Sequence, residues 1–172
     1  MDLNVTVHCS VQLQCKIQGG IRNIMPNKFQ PFWNIMELCD WNNEGDDDKV
    51  LKPVIEYLSR QSDHAIFEFD DLMSELLYNL DTKELADQCE KADPLMCDDT
   101  FLYSRCVALI NGCSYYEKVK QGKEKSLWSM EFEALIYVPQ EAWALKHKSS
   151  VDNYPHCAPF CFETGSNRDG WQ

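Results

Sequence analysis

Residues 97–119 read CDDTFLYSRCVALINGCSYYEKV. Phe101, Leu102, Leu109, Ile110 and Cys113 recur at the three- and four-residue spacing of one helical face. Asp98 or Asp99 is expected to cap the start of this helix. Arg105 falls on the same face as Phe101, Leu102 and Leu109. A guanidinium there must pair with an acid or snorkel out of the core. Asp70, Asp71, Asp98 and Asp99 are candidate partners. Two readings stay open: a structural ion pair that fixes helix register, or an anchor for a small anionic ligand framed with Trp33, Asp98 and Asp99.

The flanks are helical too. Phe32, Ile35, Met36 and Cys39 give a helix over 31–41, with Pro31 in its first turn. NNEGDDD is a loop. Val50, Leu51, Val54, Ile55 and Leu58 give a second stripe over 49–60, where Pro53 suits only the start of a helix. Ile66, Phe69, Met73, Leu76, Leu77 and Leu80 share a face of a third helix, capped by Ser62 or Asp63. DTKELADQCEKAD reads as a short polar helix. SLWSMEFEALIYVPQEAWALKHK continues helical, with Ser126 as a cap and a break or kink at Pro139. From Ser149 onward Pro, Gly, Asn and Ser predict an irregular tail. The expected fold is mainly α: a single helical bundle of about five to seven helices with an irregular C-terminal tail.

The front of the chain differs. In NVTVHCSVQLQCKI, apolar Val5, Val7, Cys9, Val11, Leu13, Cys15 and Ile17 alternate with polar residues. This period of two predicts a β-strand. Residues 1–24 read as an N-terminal extension, either a true strand or the product of an upstream start, and 25–172 as the helical domain.

The net charge is −12. Residues 1–39 carry 2 acidic and 3 basic side chains, 40–99 carry 18 and 5, and 100–172 carry 8 and 8. The excess negative charge therefore sits in the middle third. Such a field repels nucleic acid and attracts a basic partner. No apolar run approaches a membrane span. No basic-then-apolar leader opens the chain, so a cytoplasmic location with reduced thiols is expected for its nine cysteines.

No catalytic signature stands out: there is no nucleophile elbow, phosphate loop, dinucleotide fingerprint or zincin motif. The loop from Asp40 to Leu51 echoes a calcium loop, but Leu51 stands where the bidentate glutamate belongs. His156, Cys157 and Cys161 lack a second ligand pair for zinc. A non-enzymatic chain without metal or cofactor is expected.

The stretch around Arg105 resembles the signature of the bacterial domain-of-unknown-function family 4240. The matching residues are Asp98, Asp99, Phe101, Arg105, Leu109, Ile110 and Gly112. Phe32 and Trp33 look like that family's N-terminal start, and ETGSNRDGW, with Gly165 and Trp171, is similar to its end. Ser104 and Cys106 depart from the bulkier aromatics expected beside the arginine. The resemblance implies a small cytoplasmic bacterial helical domain. Some acidic proteins of this kind are immunity proteins encoded beside toxins. The expected function is therefore to neutralise a basic, nuclease-type toxin by occupying its cleft. Asp46, Asp47, Asp48, Asp70 and Asp71 would supply the charge. The alternative is a ligand-sensing module built on Arg105.

Overall fold

The computed structural model describes residues 28–172. The alternating stretch 5–17, like the whole extension 1–24, lies outside the described residues. Among those residues there are seven α-helices and no strand. They are α1 (Gln30–Met36), α2 (Asp47–Ser59), α3 (Asp63–Asn79), α4 (Lys83–Ala92), α5 (Asp98–Ile110), α6 (Cys113–Lys120) and α7 (Val138–His147). The mainly helical, single-domain expectation holds.

Local chemistry sets the boundaries. The Ser62 hydroxyl accepts the Ala65 amide at 3.2 Å and starts α3. Its six expected apolar positions, Ile66 through Leu80, are all buried. Thr82 caps α4 in the same way. Asp46 accepts the Lys49 amide at the head of α2. This helix runs through Pro53, which sits well inside it rather than at its start. The carbonyl that Pro53 cannot serve belongs to Lys49, on the exposed side.

Several expectations need correction. α1 stops at Met36, because the Leu38 and Cys39 amides close tight three-residue turns onto Ile35 and Met36. The residue before α5 is Cys97; Asp98 and Asp99 lie inside the first turn, where their charges suit the helix dipole. The helix does not continue to Val119. It ends at Ile110, and Gly112 turns the chain into α6 at φ 86°, ψ 172°. This backbone region is essentially restricted to glycine. Cys113 consequently starts α6 and is only half-buried. Residues 126–147 are not one kinked helix either. Two 3-10 turns, Ser126–Ser129 and Glu133–Tyr137, precede α7. Pro139 opens α7, where its missing N–H costs nothing. Ser126 lies inside its turn and donates to Glu124 instead of capping.

α2 and α7 pack side by side, α3 lies against α1, α5 and α7, and the two 3-10 turns cover α5. The core runs through Phe32, Phe69, Met73, Phe101, Leu109 and Trp128, all at most 2% exposed. Phe32 stacks on Phe69 at 4.9 Å between ring centroids. Each such side chain contributes about 1.5–3 kcal/mol by leaving water. The tail beyond α7 is irregular as expected, with one 3-10 turn at Val151–Asn153. It nevertheless lies along the bundle: the Lys83 amide donates to the Gly170 carbonyl at 2.9 Å.

Candidate functional site

Arg105 is fully buried. One terminal nitrogen, Nη1, donates to the Leu77 carbonyl at 3.0 Å. The other, Nη2, donates to the Phe162 carbonyl at 2.9 Å and to Thr164 Oγ1 at 3.3 Å. Thr164 in turn donates to the Asp98 carbonyl at 2.8 Å. The guanidinium lies over the Phe101 ring, 4.8 Å from its centroid. Asp70, Asp71, Asp98 and Asp99 do not receive its hydrogen bonds, so the expected pairings are corrected. Burial lowers the arginine's proton affinity, and the charge of Asp81 opposes that loss. Even so, a guanidinium stays ionised.

Asp81, also fully buried, is the acid that local spacing missed. Its carboxylate accepts the Gly165 amide at 3.0 Å, the Asn167 amide at 2.9 Å and Trp171 Nε1 at 2.8 Å. The Ser166 hydroxyl adds a fourth donor at 3.3 Å. A Cβ on Gly170 would stand 2.7 Å from the Asp81 carbonyl oxygen, so only glycine fits there. Arg105 and Asp81 thus pin residues 162–171 to the bundle. Phe101, Arg105 and Trp171, named from the sequence, come together here, and Trp171 meets the Phe101 ring edge-on at 6.5 Å. Trp33 instead packs on Phe32 and Tyr116, and Gly112 makes the α5–α6 turn.

The five aspartates expected on an acidic surface divide. Asp70 is 4% exposed and accepts the Tyr154 hydroxyl at 3.1 Å, so it presents no charge to a partner. Burial pushes its carboxyl up to about 6. Asp71 is engaged by His156 at 2.7 Å. Asp46, Asp47 and Asp48 do gather in a surface depression of about 500 Å³.

Glu133, Glu141 and Tyr137, which sequence spacing did not point to, line the same depression with Gly45 and Ala134. Five carboxylates therefore converge from the head of α2, the Glu133–Tyr137 turn and α7. Asp46 is held below its ordinary value by Lys49. Asp47 is pushed up by burial and then by the charges of Asp48 and Asp46. Glu141 is pushed up by burial and by Asp48. Glu133 accepts the hydroxyls of Tyr103 at 3.1 Å and Tyr137 at 2.9 Å. Tyr137 is 45% exposed, and Trp41, on the α1–α2 connection that leads to Gly45, is 47% exposed. The arrangement joins concentrated negative charge to exposed aromatic area. Among the described residues, no group of three or more His, Cys, Asp or Glu side chains is placed to hold a metal ion.

The family model described as "Protein of unknown function (DUF4240)" matches residues 28–144, well over half of the chain. The chain belongs to this family. The match includes the DUF4240 stretch around Arg105 and all five carboxylates of the depression, and it stops before the segment that Arg105 and Asp81 pin. Neither a curated protein nor a solved structure matches the chain. No helix among the described residues is long and apolar enough to cross a membrane.

Proposed function

We propose that this DUF4240 chain is a non-enzymatic binding protein of the immunity type, which occupies the basic cleft of a nuclease-type toxin. The observation that carries the reading is the depression where Asp46, Asp47, Asp48, Glu133 and Glu141 converge. A nuclease needs a basic cleft to hold phosphates. A surface that repeats the phosphates' charge competes for that cleft and speeds encounter by steering. Tyr137, which lines the depression and is exposed, supplies aromatic area of the kind that anchors protein interfaces. Asp47 and Glu141 have raised proton affinity, first because they are partly buried and then because like charges crowd them. A lysine or arginine from the partner relieves that crowding, so the depression is better suited to receive a cation than to stay empty.

The test is functional. The full chain, immobilised, captures partners from the cells it comes from, and each captured basic protein is assayed for nucleic-acid cleavage with and without added chain. The reading expects a captured nuclease whose cleavage stops at equimolar chain. A captured basic protein with no cleavage activity, or cleavage that the chain leaves untouched, overturns it.

A further inference from the structure

The first half of the C-terminal segment meets α3 through two side-chain pairs. The Tyr154 hydroxyl donates to Asp70 Oδ2 at 3.1 Å, and His156 Nε2 lies 2.7 Å from Asp71 Oδ1. The Phe67 ring stacks on His156 at 4.6 Å and meets Tyr154 edge-on at 5.8 Å. Trp143 of α7 packs edge-on to Tyr154 at 6.2 Å. Asp70 is thus a buried carboxyl covered by a segment that has no regular secondary structure beyond one 3-10 turn.

The charged groups around it are few. On α3 itself, Asp71 adds a like charge, and from the C-terminal segment His156 is the one group of opposite character acting on Asp70. Lys146 and His147 of α7 are both turned to Asp63, at the start of α3. Arg105 of α5 is bound to the Leu77 carbonyl, two turns beyond Asp70. Lys28, just before α1, pairs with Glu75, and Arg60, at the end of α2, pairs with Glu56. None of these cations serves Asp70.

We propose that the Tyr154–Asp70 and His156–Asp71 pairs form a proton-operated clasp, in which a proton taken up by Asp70 draws residues 150–156 more tightly onto α3 and α7. With the segment docked, burial pushes the Asp70 carboxyl up to about 6. The charge of Asp71 adds to the rise, while the Tyr154 bond and His156 oppose it. With the segment lifted, water reaches the carboxyl, and it returns toward the ordinary value of about 3.9. The docked form therefore holds the proton more tightly. Its advantage is complete below the lifted form's value and is lost as pH rises through about 6. Between pH 7.5 and 5 the ratio of docked to lifted chain rises about tenfold. Lifting uncovers Phe67 and Trp143, so the clasp couples proton concentration to exposure of an aromatic surface.

Hydrogen exchange on the full chain tests this. The Asn153 and Tyr154 amides donate to the Ser150 and Val151 carbonyls, and their protection reports docking. Protection factors, corrected for intrinsic exchange, should rise about tenfold from pH 7.5 to pH 5 in the wild type. They should stay flat in Asp70→Asn and still rise in His156→Gln. Tyr154→Phe, which keeps the ring and removes the donor to the charged carboxylate, should move the midpoint of the rise to higher pH. Flat protection in the wild type overturns the proposal. So does an equal rise in Asp70→Asn, a rise abolished by His156→Gln alone, or an unmoved midpoint in Tyr154→Phe.

Discussion

Arg105 spends its terminal nitrogens on the carbonyls of Leu77 and Phe162 and on Thr164, inside a wall that includes Phe101. Truncation leaves those carbonyls without donors and opens a cavity. Arg105→Ala should therefore lower unfolding free energy by about 3–5 kcal/mol, read from urea denaturation. Trp171→Phe keeps most of the packing and loses only the indole donor to Asp81. Its cost should be about 1–2 kcal/mol, because one of four donors to a charged acceptor disappears. That Arg105 lies on the apolar face was legible, since helical spacing alone puts it beside Phe101, Leu102 and Leu109; that it stays in the core instead of snorkelling out was not. Nor were its partners. They lie 28, 57 and 59 residues away in sequence, and no local period encodes such distances. Asp70 failed for a related reason: an aspartate on α3 looks like surface charge until Tyr154 is seen to cover it.

At the scale of elements, the apolar stripes carried through wherever one helix runs unbroken. α3 is the clearest case, with its Ser62 cap and its six buried positions. The stripe says less where a single residue redirects the chain. Gly112 interrupts a pattern that runs on to Val119, because apolar spacing does not reveal a positive φ. Nothing lies within 4 Å of a Cβ placed there, so the cost of Gly112→Ala is conformational alone. It should destabilise the fold by about 1–3 kcal/mol without changing the helix content seen by circular dichroism. The C-terminal segment is the converse. Its composition correctly signals irregular backbone, yet the segment is structural because buried side chains hold it. Ending the chain after Pro159 removes the acceptors of Arg105 Nη2 and all four donors to Asp81. Such a chain should lose more stability than Arg105→Ala does, measured in the same urea titration.

For the whole molecule, the decisive property is where the charge ends up. The excess of −13 over residues 40–99 was countable, but its placement was not. The fold buries Asp70 and Asp81, pairs Asp63 and Asp71, and adds Glu133 and Glu141 from outside that segment. Of the carboxylates left at the surface, five line one depression, with Lys49 paired to one of them, Asp46. Because Asp47 and Glu141 take up protons more readily than ordinary carboxylates, partner binding should weaken on acidification sooner than for an isolated acidic loop. Salt should weaken it too, mainly through the association rate. The most direct test of the central claim is quantitative capture of partners by the wild type and by a variant carrying Asp46→Asn, Asp47→Asn, Asp48→Asn, Glu133→Gln and Glu141→Gln. A basic protein should be enriched on the wild type at low salt and lost on the variant. The same protein retained equally by both would contradict that claim.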